Sequence, residues 1–194
     1  MRNRVPISKA LMMHADVKYI IYDPISWIHP KRFLLPKKLA TARCRSIIND
    51  IILHQYGLST GDLDLSNSKE NYLAHHWAIL AKAAFMAACH RYRSALAYNG
   101  LMFKLDPLTF QFTQCELTGS RDDFRGDITW GCLRFLAYRE LMTFSSDVSL
   151  LMKERIPLLF EKQAEVNMSD SFILQQNDNE ILVRMAIQYA KRNN

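Results

Sequence analysis

The sequence predicts an all-α fold: a single compact helical domain of seven or eight helices covering residues 1–194, with 1–19 as a partly flexible lead-in. Three observations predict it. Apolar residues recur at three- and four-residue steps along most of the chain. Strand signals are weak, and short apolar runs such as Leu101-Met102-Phe103 lack partners joined by hairpin turns. With 49% hydrophobic residues, the chain has enough apolar material for a core, at a length that suits one domain.

The elements follow in order. Asp23 before Pro24 reads as a cap with a first-turn proline. His29 before Pro30 is pushed out of the helical region, which ends that short turn. Pro36 then opens a helix over 36–56, with Leu39, Ile47, Ile48, Ile51, Ile52 and Tyr56 as its apolar stripe and Gly57 as its stop. Residues 57–68, with Gly61, Asp62, Asp64 and several hydroxyl side chains, read as a loop.

From Lys69 to Asn99 the chain is rich in Ala, Leu, Met and His, which fits one long helix or two in succession before Gly100. Asp106-Pro107 is another cap and first turn. Asp127 is expected to cap a helix with Trp130, Leu133, Leu136 and Leu141 apolar and Arg134 outward. Ser145, Ser146 and Asp147 offer the start of a segment ending near Phe160. The last helix is expected from Glu180 to about Lys191, with Ile181, Leu182, Met185 and Ile187 inward.

The charge is +6 overall but uneven. Residues up to Tyr56 carry ten Lys/Arg against three Asp/Glu, and the remainder is nearly balanced. A basic third of this kind suits an acidic protein, an anionic membrane surface or nucleic acid. For nucleic acid nothing more specific is present: there is no zinc-finger spacing and no basic heptad region, and Arg43 and Arg45 do not share a helical face. Four scattered cysteines, Cys44, Cys89, Cys115 and Cys132, read as reduced thiols, mostly buried. The basic start is not followed by an export signal, and no run approaches the roughly 18–20 apolar residues of a membrane span. These features place the chain in the cytoplasm.

Chemistry-bearing motifs are scarce. Glycine-rich phosphate loops, a dinucleotide fingerprint and a Gly-x-Ser-x-Gly elbow are all missing. His75-His76 with Cys89-His90 is the best metal candidate, but adjacent helical residues point about 100° apart. A Cys89–His90 nucleophile pair meets the same obstacle, and Cys89 after Ala87 and Ala88 suits a core position. Glu116 with Asp122 and Asp123 brackets a polar turn at 118–121 and reads as a solvated loop. Of nine methionines, Met12, Met13, Met86 and Met102 suit core filling or adaptable contacts. No catalytic, cofactor or metal site is expected.

The most distinctive stretch runs from Ile20 to Phe33, where Asp23-Pro24 and His29-Pro30 make two rigid corners around Trp27 and Ile28, followed by Lys31-Arg32. It resembles the start of the OrgA/MxiK family, the SctK-type adaptors of type III secretion sorting platforms. Ala88-Cys89-His90-Arg91-Tyr92-Arg93 with Leu96 and Gly100 resembles the family's small-Cys-His-basic helix and glycine stop. Arg155-Ile156-Pro157-Leu158-Leu159-Phe160 is similar to its Arg-Phe-Pro-Leu-Leu-Phe segment, and Ala186-Ile187-Gln188-Tyr189-Ala190 to its terminal helix. The chain departs from the pattern at Trp27 and Ile156, where Tyr and Phe are commoner, and lacks a proline near Lys82, which leaves the helix boundary at 79–83 open.

The resemblance implies a non-catalytic adaptor without cofactor. It would bridge the cytoplasmic domain of an SctD-type inner-membrane ring protein to an SctQ-type pod protein and an SctL-type ATPase stator, peripheral to the inner membrane through protein contacts. From the residues themselves, the stretch reads either as a structural corner that packs Trp27 onto the core or as a docking surface, the two being compatible. The expected partner surface is Trp27, His29, Lys31 and Arg32, with Asp23, Pro24 and Pro30 holding its geometry. Two rivals remain: a basic helical nucleic-acid-binding regulator, and a Cys/His metalloprotein or enzyme.

Overall fold

The computed structural model describes residues 17–117, 127–165 and 179–192. Met12, Met13, Asp122, Asp123 and the turn at 118–121 lie outside these residues, as do positions 1–16 of the expected lead-in; positions 17–19 already belong to a helix. Among the described residues the structure is all-α, with no strand.

Residues 17–22 are helical (α1). Then come α2 (Ala42–Gln55), α3 (Ser68–His75), α4 (Leu80–Arg91), α5 (Arg93–Tyr98), α6 (Pro107–Thr113), α7 (Trp130–Phe144), α8 (Leu150–Arg155) and α9 (Asn179–Arg192). Single 3₁₀ turns join several of them, at Pro24–Ser26, Lys37–Leu39, Trp77–Ile79, Met102–Lys104 and Ile156–Leu159.

α4 is the central rod, packed against α7, α9 and α6. Ala83, Ala84, Ala87 and Ala88 are fully buried, and their small side chains let neighbouring helices approach closely. Such a helix, apolar almost all round, belongs inside a bundle. Leu133, Leu136 and Leu141 of α7 and Leu182, Val183, Ala186 and Ile187 of α9 close over it. Inside this layer Arg91 of α4 pairs with Glu140 of α7 at 2.5 Å. Burial pushes the Glu140 carboxyl upward, and Arg91 opposes that shift. A smaller second core of Ile28, Ile52, Leu58 and Leu158 ties α2 to the body.

Both expected glycine stops are present. Gly57 and Gly100 take φ of +59° and +65°. The following amides reach back five residues, Leu58 to the Leu53 carbonyl and Leu101 to the Leu96 carbonyl, the pattern of a Schellman stop. Asp106 accepts from the Thr109 amide with Pro107 in the first turn, as expected.

Other boundaries differ from the sequence reading. The 36–56 helix begins with a 3₁₀ turn, and α-geometry starts after Thr41, whose hydroxyl accepts from the Cys44 amide. The 69–99 stretch is three helices, broken at His76 and at Tyr92. Thr129, not Asp127, caps α7, and Ser149, not the 145–147 cluster, caps α8. Each of these hydroxyls sits three residues before the amide it accepts from, the spacing that an N-cap requires. On α9, Leu182 and Ile187 face inward as expected, while Ile181 and Met185 are exposed. Ile47 and Ile51 of α2 are exposed as well.

Arg155 fixes how the N-terminal region sits on this body. It has no solvent exposure and donates to the Ile20, Ile21, Ser59 and Leu151 carbonyls at 2.7–3.2 Å. Ile20 and Ile21 lie in the last turn of α1, where carbonyls have no intrahelical partner and a cation is favoured. Glu154 next to it takes the Ser59 amide and hydroxyl, so α8 grips both α1 and the 57–60 loop. Replacing Arg155 by Ala strands several buried carbonyls and is expected to cost ~3 kcal/mol in a urea melt. Arg155→Lys should recover little of it, because an ammonium lacks the guanidinium fork.

A candidate docking surface at the N-terminal corner

The corner at 23–33 and the segment 155–161 are built against each other. The His29 amide donates to the Leu158 carbonyl at 2.9 Å. Arg32 donates through Nε to the Phe160 carbonyl and through Nη2 to the Pro157 carbonyl. Lys31 Nζ and Arg134 Nη1 share the carboxylate of Glu161, one on each oxygen. Two of the stretches that carry the family resemblance are therefore one structural unit, although about 130 residues separate them.

Each expected site residue has a definite place. Asp23 occupies the cap position of the 3₁₀ turn, with buried Pro24 following, but its carboxylate caps no backbone amide. It accepts instead from Arg45 on both oxygens, at 3.0 and 3.1 Å, and from Asn49 Nδ2 at 2.7 Å. Asn49 Oδ1 in turn accepts the Ile25 amide at 3.0 Å. The aspartate thus orients α2, which the cap reading did not foresee.

Trp27 and Ile28 do not present their apolar area outward. The Trp27 ring meets buried Trp77 edge-on at 5.3 Å and donates Nε1–H to the Tyr19 carbonyl. Ile28 is buried in the second core. Pro30 is exposed, and Lys31 keeps 62% of its side chain in solvent despite its bond to Glu161. His29 is half-buried, and its Nδ1 accepts the Lys31 amide at 3.2 Å. Partial burial lowers the His29 pKa, Glu161 raises it, and the cations Lys31, Arg32 and Arg134 lower it further. Hence the outward features of the corner are His29, Pro30 and Lys31, while Asp23, Pro24, Trp27 and Arg32 hold it from within.

Sequence reasoning missed Glu161, Asn49 and the role of Arg155. Glu161 carried one available signal: a carboxylate directly after an apolar segment that begins with arginine. Glu70 was missed too. It is fully buried and accepts from the Asp64 amide and from the Ser149 amide and hydroxyl, which docks α8 onto α3.

The residues of the chemical alternatives take the following positions. Cys89 is in the core, and burial pushes its thiol far up, away from the thiolate a nucleophile needs. His90 Nε2 lies 2.9 Å from the Cys115 carbonyl, and Nδ1 of His75 and of His76 lies 2.8 Å from the Asn71 and Tyr72 carbonyls. A carbonyl only accepts, so each of these ring nitrogens carries a proton and is not a free ligand atom. Among the described residues no three His, Cys, Asp or Glu gather as a metal site. No helix there is long and apolar enough to cross a membrane. The four cysteines are unpaired, with Cys89 and Cys132 buried and Cys44 and Cys115 half-buried.

Comparison with known proteins supplies a family. The model of the bacterial type III secretion apparatus protein family, OrgA_MxiK, matches residues 17–192. Curated proteins named oxygen-regulated invasion protein OrgA, from three strains of Salmonella typhimurium, are 26% identical over 175 residues. Those alignments cover 89% of this chain and 85% of each relative. No solved structure matches the chain significantly.

The shared carboxylate of Glu161 makes a pH prediction. Its bonds from Lys31 and Arg134 hold its pKa below the ordinary 4.5. A carboxylate with a depressed folded pKa stabilises the fold above its unfolded value, and that contribution is lost as pH falls through the folded one. Glu161→Gln should therefore be less stable than the parent at pH 7, with the gap closing as pH is taken below about 4.5 in parallel thermal melts.

Proposed function

The chain belongs to the bacterial type III secretion apparatus protein family (OrgA/MxiK), and from that premise we propose that it is a non-catalytic adaptor of the sorting platform. In this role it links the cytoplasmic domain of an SctD-type ring protein to an SctQ-type pod protein and an SctL-type ATPase stator. It works at the cytoplasmic face of the inner membrane and reaches that membrane through protein contacts.

The observation that carries the reading is the locked corner. Arg32, Lys31 and the His29 amide hold 23–33 against 155–161, Asp23 holds it to α2, and what remains outward is a cationic, partly apolar surface. A preordered surface loses little conformational freedom on association, and exposed cations speed encounter with an acidic partner. His29, Pro30 and Lys31 make the contact. Trp27, Arg32, Asp23 and Pro24 keep it in shape.

Co-expression with the stator, the pod protein and the ring protein's cytoplasmic domain from the same organism, followed by size-exclusion with mass determination, tests the reading. A stoichiometric complex with at least one of them is expected. If all three fail to bind a folded chain, the adaptor reading is wrong, and binding to DNA that weakens steeply with salt would favour the nucleic-acid regulator instead. Within the corner, Lys31→Gln should weaken that complex only several-fold, mainly through the association rate, as for an exposed charge. Arg32→Ala should act through stability, because it strands the Pro157 and Phe160 carbonyls.

A further inference from the structure

We propose that the outward face of α2, together with the Leu34–Leu39 approach to it, is a seat for an acidic amphipathic helix of a partner protein. The inference rests on the adaptor reading and specifies the chemistry of one partner.

α2 packs inward through Arg45, Asn49 and Ile52, which leaves Arg43, Ile47, Asp50, Ile51 and His54 on the opposite side. Ile47 is 52% exposed and Ile51 55%. Leu34 and Leu39, just ahead of the helix, are also exposed. Four aliphatic side chains within eighteen positions thus stay exposed beside the other described residues. The sequence placed Ile47 and Ile51 in the helix's apolar stripe; they belong to a second stripe, turned outward.

Charge indicates what covers it. Lys37, Lys38 and Arg43 border the patch, are exposed, and have no carboxylate partner among the described residues. An occupant that buries the isoleucines must approach these cations, so carboxylates flanking its apolar stripe are what complement them. The shape points to a helix. Arg43, Ile47 and Ile51 step by four, which makes a ridge roughly 12 Å long that fits the groove of a partner helix about two turns in length. The ridge is held in advance, since Thr41 caps α2 and Asp23 ties Arg45 and Asn49 to the corner.

Other occupants fit less well. A second copy would bring the same cations face to face. An anionic lipid surface fits less well because the ridge lacks the Trp or Phe that settle helices in a bilayer interface.

The test uses the full chain carrying Ile47→Glu with Ile51→Glu, and separately Lys37→Glu, Lys38→Glu and Arg43→Glu together. The probes are the stator, the pod protein and the ring protein's cytoplasmic domain, and vesicles rich in phosphatidylglycerol. Leu150→Glu, an exposed leucine elsewhere, is the control. Both variants should melt as the parent does and lose affinity for the same protein partner, the isoleucine variant by at least ~30-fold, as expected when two apolar anchors are lost, and the charge-reversal variant through repulsion of its carboxylates, while the control binds normally. Photo-cross-linking from benzoylphenylalanine at position 47 should then land in a helical, carboxylate-rich segment of that partner.

The proposal is overturned if both folded variants bind every protein partner like the parent. It is equally overturned if the cross-link maps to this chain or to a segment without surplus carboxylates, or if the variants lose vesicle binding instead. Should the parent itself bind none of the three proteins, the adaptor reading fails first and this inference fails with it.

Discussion

Arg155 is a cation without solvent exposure, and the position of the N-terminal region follows from what it does there. A buried guanidinium is costly unless its donors are all used, and here they go to carbonyls on three separate stretches of chain. Two of those carbonyls end α1, and a third belongs to the loop that leaves α2. Burial lowers the Arg155 pKa, with Glu154 acting in the other direction, yet an arginine stays charged at neutral pH. Once Arg155 is in place, Pro157, Leu158 and Phe160 present their carbonyls to Arg32 and to the His29 amide. The corner is therefore seated by the backbone of the segment that Arg155 opens.

The central layer shows a different use of buried charge. The central layer is tight and apolar, with alanines on α4 and the Arg91–Glu140 pair sealed inside it. Residues that might be read as reactive serve as structure: Cys89 fills space, His90 donates to the Cys115 carbonyl, and Arg93 donates to that of Thr113. The basic surplus of the N-terminal third instead divides into cations that hold the fold, Arg32 and Arg45, and cations left in solvent, Lys37, Lys38 and Arg43.

Much of the fold was legible where a residue's own backbone chemistry decides the outcome. Gly57 and Gly100 stop helices because they accept positive φ, and Asp106-Pro107 starts one because the carboxylate and the ring both suit a first turn. Less was legible where several candidates compete. Asp127 and Thr129, or Ser146 and Ser149, are equally good caps on paper, and tertiary packing chose between them. Periodicity finds apolar stripes but does not say whether a stripe meets the body, which is why Ile181 and Met185 were placed on the wrong side and Ile47 and Ile51 read as one stripe with Ile52. The corner was recognisable as a unit, whereas its attachment was not. The bonds from Arg32 end on backbone carbonyls about 125 residues away, and a carbonyl leaves no mark in a sequence.

Hydrogen exchange on the full chain, followed peptide by peptide, tests the central claim most directly: that the corner and the 155–161 segment are one cooperative unit seated by Arg155. The account predicts that amides of residues 20–33 and 155–161 are protected together, open with one shared free energy, and exchange well behind the loop at 57–67. If residues 20–33 exchange freely while 155–161 and the α4–α7 layer stay protected, the corner is not held as described. The N-terminal corner would then be no preordered docking surface.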